Sequence, residues 1–169
     1  CLCGSRIFID SSIAEQFTQR FVEKVNAIQI GDPMDERTTM GSVISPEHLL
    51  KVESYIDLAI EEGGTVLTGG TREMTGFNGP QGVGAFLRPT VVENLPHTSR
   101  CATEEIFGPM VTLHSFTTET EALEMVNSSE YGLAGSVWTT DLERGRMFSE
   151  KMDTGIVWVN TWLHRDLRT

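Results

Sequence analysis

Polar and apolar residues alternate over Arg6–Asp10, a run of β-branched and aromatic side chains that predicts a strand. The period then changes. Ile13, Phe17, Phe21, Val22, Val25 and Ile28 recur at helical spacing, with Ser11 and Ser12 offered as caps and Glu15 early enough to favour the N-terminus. Gly31-Asp32-Pro33 breaks this pattern and Asp35 to Gly41 carries turn residues without periodicity. Ser45-Pro46, a cap followed by the residue preferred at the first helical position, starts a second helix whose apolar residues Leu49, Val52, Ile56, Leu58, Ala59 and Ile60 lead to Gly63-Gly64. Thr65 to Leu67 follows as a short strand. Gly69 to Gly84 is glycine-rich, contains Pro80 and has no hydrophobic period, so it predicts an exposed loop or hairpin tip; neither GxGxxG nor GxxxxGK occurs in it to cradle a phosphate.

Phe86 to Glu93 predicts a strand that Pro89 confines to an edge or a bulge. Beyond it the pattern predicts a strand at Val111–Phe116, a helix at Glu119–Ser128, a strand at Ser136–Thr139, a helix at Asp141–Met152 capped by Asp141, and a strand at Gly155–Asn160. Strands alternating with helices imply an α/β fold: a parallel, Rossmann-like sheet joined by right-handed crossovers, with helices on both faces.

A chain of 169 residues, 39% hydrophobic and 22% charged, suits one well-buried domain. A net charge of −11 argues against nucleic-acid or anionic-membrane partners, both of which want clustered Lys and Arg, and favours small-molecule chemistry. Three cysteines, an odd number outside any small secreted scaffold, point to a reducing, cytoplasmic compartment. No apolar run is long enough to suggest a membrane span or export signal. The chain opens on Cys and stops at Arg168-Thr169 without a stop signal, so it is expected to be part of a longer protein.

The chemistry is expected at Cys1-Leu2-Cys3-Gly4-Ser5-Arg6, where two thiols lie among small, turn-permissive residues directly before a strand. A free thiol ionises near pH ~8.5, so a nucleophilic cysteine needs positive charge, a helix N-terminus or a base nearby, and Arg6 is the nearest charge in sequence. Composition alone favours packing cysteines, because free Cys is among the most buried residue types.

That segment resembles the one holding the nucleophile in the aldehyde dehydrogenase superfamily. Glu104-Glu105-Ile106-Phe107-Gly108-Pro109 resembles the same superfamily's cofactor-contacting motif, and the similarity continues through Tyr131-Gly132-Leu133-Ala134-Gly135-Ser136-Val137 and Gly155-Ile156-Val157-Trp158-Val159-Asn160. The resemblance implies that Cys1 attacks an aldehyde carbonyl, that hydride passes from the thiohemiacetal to NAD, and that water hydrolyses the thioacyl enzyme. It further implies that Glu105 accepts hydrogen bonds from the nicotinamide-side ribose and that Phe107 packs beside the nicotinamide. Cys3 would be a bystander, an alternative thiol or an oxidation partner, and Cys101 would pack or sit near the entry to the cofactor motif. Read without the flanking match, Glu104 and Glu105 are solvated charges and Phe107 is core.

Residues 1–169 would then be a thiol-bearing catalytic domain. The dinucleotide-binding domain, general-base glutamate and oxyanion-holding asparagine would lie upstream, and a Pro-Phe-Gly-Gly loop and oligomerisation strand downstream. The assembly would be a homo-oligomer, dimer or tetramer.

The tail from Asn160 to Thr169 corresponds to a substrate-lining segment and resembles dehydrogenases of 2-aminomuconic and 2-hydroxymuconic semialdehyde, substrates with a carboxylate far from the aldehyde. Arg165 matches the arginine that holds that carboxylate, its planar fork suiting bidentate binding. Leu2 and Trp162 are the accompanying candidates for the substrate pocket. Otherwise Arg165 makes a surface pair with Asp166 or a glutamate. His48, His97, His114 and His164 lack ligand spacing, so no metal is expected. Two other classes stay open: an N-terminal-Cys amidohydrolase using its own amino group as base, and a non-catalytic α/β domain.

Overall fold

The predicted strand at Arg6–Asp10 forms as β1 in the computed structural model, which describes residues 1–73, 78–79 and 82–164, with backbone alone at 78–79 and 82–83. The described chain separates into two compact units, Ser5–Ser115 and a second made of Cys1–Gly4 with Phe116–Thr169.

In the first unit, helices α1 (Ala14–Asn26) and α2 (Pro46–Glu61) accompany strands β2 (Thr65–Thr68), β3 (Asn78–Gly79), β4 (Gly82–Val83), β5 (Thr90–Glu93) and β6 (Met110–Phe116), with a single turn α3 (Arg100–Thr103) before β6. The four-stranded sheet runs β1-β6-β5-β2. Successive strand residues face opposite sides, and β5 uses both. Val91 meets Phe17, Phe21, Val22 and Val25 of α1 together with Ile9 and Leu113. Val92 joins Leu49, Val52, Ile56 and Ala59 of α2 with Leu87, Leu95 and Met110. Helices therefore cover both faces, as the alternation predicts. Val52, Val91 and Val92 are fully buried, each stabilising the fold by roughly 2 kcal/mol relative to exposure.

Three local expectations are corrected. β5 is an interior strand between β6 and β2, because Pro89 stands one residue before it and Thr90, its first residue, still has an N–H to donate to Pro109 O at 2.8 Å. Pairing is not uniformly parallel. β5 and β6 are parallel, joined by a crossover containing α3, whereas β2 and β5 are antiparallel, with no helix between them among the described residues. Within the glycine-rich span β3 and β4 pair antiparallel, Asn78 opposite Val83 and Gly79 opposite Gly82, and the expected tip between them lies outside the described residues. The third correction is at the start of α1, where neither serine caps the helix. Ser12 donates from both its N–H and its hydroxyl to Asp10 Oδ1, at 2.9 and 2.6 Å, and Ile13 takes the cap position without a side-chain bond. Ser45 does cap α2, accepting from His48 N at 3.1 Å.

The second unit contains α4 (Glu119–Val126), β7 (Ala134–Val137), α5 (Leu142–Lys151) and β8 (Ile156–Val159). β7 and β8 pair in parallel from Ala134 opposite Ile156 to Val137 opposite Val159, with α5 in the connection and Asp141 accepting from Arg144 N at its cap. Gly145 allows α5 to close on β8: a Cβ there would stand 2.8 Å from a Val159 methyl.

Candidate functional site

The segment between α3 and β6 gives two adjacent glutamates different surroundings. Glu104 is engaged on both oxygens, accepting from Arg100 Nε at 2.7 Å and from Tyr55 OH at 2.6 Å. Those bonds, the arginine's first, hold its carboxyl down at about 2. Glu105 is exposed, and its carboxylate accepts no hydrogen bond or ion pair among the described residues. Ile106 then turns into the core at 8% exposure. Phe107 comes out again, 58% exposed, with φ at +59°.

That exposure excludes a core role for Phe107. A left-handed backbone costs a non-glycine residue on the order of 1–2 kcal/mol and persists only where its surroundings impose it. Two contacts impose it here. Phe107 O accepts from His48 Nε2 at 2.6 Å, and the next residue, Gly108, lies so close to α2 that a Cβ would stand 2.4 Å from Val52 Cγ2. Glu105 O accepts from Lys51 Nζ at 3.0 Å. His48, Lys51 and Tyr55, three and then four residues apart, form one face of α2. The result is a loop tied to α2 at two carbonyls that offers an acceptor-only carboxylate and, two residues on, an aromatic ring. Such a pair suits a vicinal diol next to a flat heterocycle.

The thiol segment precedes β1. Residues 1–5 form no regular element, Cys1 and Cys3 are exposed free thiols, and Leu2 is half-buried. β1 starts at Arg6, as predicted, and is anchored ahead of it by Thr112 N donating to Ser5 O at 2.9 Å. The Arg6 guanidinium lies over the Phe8 ring at 5.3 Å, and burial lowers its pKa. Cys101 is the packing cysteine: it is buried, its thiol donates to Tyr55 O at 3.3 Å, and burial pushes its pKa up to about 11, far from thiolate chemistry at neutral pH.

Trp162 is half-buried in the same unit as Cys1 and Leu2, edge-on to the buried Trp158 ring at 5.1 Å, and Trp158 Nε1 donates to His164 O at 2.8 Å. Glu105 and Phe107 belong to the other unit. Arg165 lies outside the described residues. Among the described residues no three His, Cys, Asp or Glu side chains converge as a metal site, and no helix is long and apolar enough to cross a membrane. Sequence reasoning passed over Tyr55, Lys51, His48 and Arg100. The spacing of the first three on α2 was a visible signal, but their partner segment is 49 to 59 residues away in sequence, whereas Arg100 meets Glu104 only four residues on.

Comparison with known proteins adds identity to this geometry. A profile of the aldehyde dehydrogenase family matches residues 1–169. The chain is 44% identical over 99% of its length to the 5-carboxymethyl-2-hydroxymuconate semialdehyde dehydrogenase of Escherichia coli, and 41% identical over its whole length to the 2-aminomuconic 6-semialdehyde dehydrogenase of a Pseudomonas species. It spans 36% and 34% of those proteins. Among solved structures, betaine aldehyde dehydrogenase of Staphylococcus aureus in complex with NAD+ superposes with a TM-score of 0.94 at 39% identity, covering all of this chain and 33% of that one.

Proposed function

The chain belongs to the aldehyde dehydrogenase family, and from that premise we propose that it is the thiol-bearing catalytic part of an NAD-dependent semialdehyde dehydrogenase. The observation that carries the cofactor assignment is the loop of Glu105 and Phe107, a solvent-facing carboxylate unengaged among the described residues beside an exposed ring in imposed left-handed geometry. Glu105 would accept both hydroxyls of the nicotinamide-side ribose, and Phe107 would pack against the ring. Bound NAD would supply the hydride acceptor that takes the aldehyde to the acid level of oxidation.

The remaining chemistry belongs to the protein. The Cys1 thiolate adds to the aldehyde carbon, forming a C–S bond and placing negative charge on the former carbonyl oxygen, which needs hydrogen-bond donors from residues outside this chain. After oxidation at that carbon a thioester joins it to Cys1. Water adds to the thioester, the C–S bond breaks, the carboxylic acid leaves and the thiol is restored. Leu2 and Trp162 would line the substrate channel.

The substrate reading is 2-aminomuconic 6-semialdehyde, with the 2-hydroxy analogue as the alternative; both are among the substrates for which relatives are named. Each carries a distal carboxylate that Arg165 would hold. The full-length protein is proposed to act as a cytoplasmic dimer or tetramer. The test is NAD-dependent oxidation of a muconic semialdehyde by the full-length protein and its Cys1→Ser and Glu105→Gln variants. Cys1→Ser is expected to abolish acyl-enzyme formation, and Glu105→Gln to raise KM for NAD while leaving Cys1 alkylation without NAD unchanged. Activity near wild type in Cys1→Ser would remove the nucleophile assignment.

A further inference from the structure

On the reading that Glu105 and Phe107 contact the cofactor, we propose that His48 is the positioning residue for the nicotinamide-facing ring. Its Nε2–H donates to Phe107 O at 2.6 Å, and its ring meets the Phe107 ring edge-on, with centroids 6.3 Å apart and planes at 80°. Holding that carbonyl fixes the peptide plane between Phe107 and Gly108. With φ of Phe107 at +59°, little freedom is left to the direction in which the exposed side chain projects.

His48 is itself well placed to act as a fixed point. Its N–H donates to the Ser45 hydroxyl at the start of α2, and Leu49 and Val52 beside it are buried in the core, 4% and 0% exposed. The same helix face repeats the arrangement one turn later, where Lys51 Nζ donates to Glu105 O at 3.0 Å. Each of the two outward-facing side chains thus has its own carbonyl tied to α2, and buried Ile106 lies between them. An exposed phenylalanine gains nothing for the core from such a clamp. What the clamp preserves is a ring pose, and a ring pose matters to a flat ligand that stacks on it.

The consequence differs from that of a structural contact. Loss of the donor should free Phe107 to leave the left-handed region, weakening NAD binding and slowing hydride transfer while sparing the thiol and the aldehyde site. In the full-length enzyme, His48→Ala is expected to raise the NAD dissociation constant about three- to tenfold, the worth of one hydrogen bond of ordinary net strength. The pre-steady-state rate of NADH formation should fall with it. KM for the aldehyde, alkylation of Cys1 in the absence of NAD and Tm without NAD should stay at wild-type values. His48→Gln, whose amide can still donate to the carbonyl, should restore NAD binding to within about twofold.

Wild-type NAD affinity and hydride-transfer rate in His48→Ala would overturn the proposal, as would a glutamine variant no better than alanine. Where alanine fails to fold, His48→Met against His48→Gln carries the same comparison, since only one of the two has a donor. Phe107→Ala and Glu105→Gln run in parallel separate the two levels. If they weaken NAD binding and His48→Ala does not, the positioning role fails and the loop keeps its cofactor. If neither weakens it, the cofactor reading of the loop fails, and the role of His48 falls with it.

Discussion

Gly108→Ala tests whether the packing of α2 sets the Glu105–Phe107 loop proposed to hold the cofactor. A Cβ at position 108 would stand 2.4 Å from Val52 Cγ2, 3.0 Å from Cγ1 and 3.3 Å from Cβ, against ordinary contact at 3.4–4 Å. Val52 cannot swing aside: it is 0% exposed, and a valine in a helix has one strongly preferred χ1. The turn and the helix must therefore separate by about 1 Å, an overpacking that costs about 1–3 kcal/mol. Because His48 and Lys51 reach the loop from that helix, the separation also stretches both carbonyl bonds. A displacement of this size near a reacting centre can lower the rate by about two powers of ten.

We expect Gly108→Ala in the full-length enzyme to lower kcat/KM for NAD by about 10- to 100-fold and to lower Tm. Val52→Ala alone leaves a cavity worth about 2 kcal/mol. In the double variant the new methyl occupies part of that space, so the two changes should be less harmful together than their sum by about 1–3 kcal/mol. The assays are NAD-dependent steady-state kinetics and thermal melts on all four proteins of the cycle. Wild-type kinetics in Gly108→Ala, or strict additivity in the double variant, would refute the reasoning.

His114 gives a pH dependence whose sign the structure sets. The ring is 6% exposed, stacked on Phe8, with Nε2 bonded to the Thr112 hydroxyl at 2.9 Å, and its pKa falls to about 4 through burial first and then the charges of Arg6 and His97. The unfolded state takes up the proton near pH ~6.5 and the folded state only near the lower value, so stability is complete above ~6.5 and falls as pH drops toward about 4, by on the order of 3 kcal/mol. Urea titrations of wild type and His114→Gln across that window should differ in slope; equal slopes would contradict the assignment. Cys1→Ser should abolish the acyl-enzyme burst while Cys3→Ser keeps it, and the reverse result would transfer the nucleophile to Cys3. Arg165→Ala should raise KM for a carboxylated semialdehyde about 10- to 100-fold more than for a neutral aldehyde of similar length, with Arg165→Lys recovering part; an equal loss on both removes the clamp.

The elements themselves were legible in the sequence. Alternation over Arg6–Asp10 and the stripe Leu49, Val52, Ile56 and Ala59 are local periodicities, and the buried face of α2 is that stripe. The Ser45 and Asp141 caps were legible because a cap needs a side chain only three residues from its donor. The false cap at Ser11 and Ser12 shows the limit of that rule, since Asp10 competed for the same serine. The place of Pro89 was not legible for a related reason. A proline restricts one residue, and whether that residue falls inside a strand or just before it depends on the partner strand.

Motif order in the sequence is what nominates Cys1, Glu105 and Phe107 as candidates, because residue types and their order are sequence properties. What held them was not legible there. Glu104 is engaged by Arg100, four residues earlier, and by Tyr55, and the left-handed pose of Phe107 depends on His48 and Val52; Tyr55, His48 and Val52 are all contributed by a helix about 50 residues earlier. Periodicity reports which side of a helix is apolar, whereas the choice of which carbonyl a polar side chain meets is made only when two segments pack and every buried donor and acceptor has to find a partner.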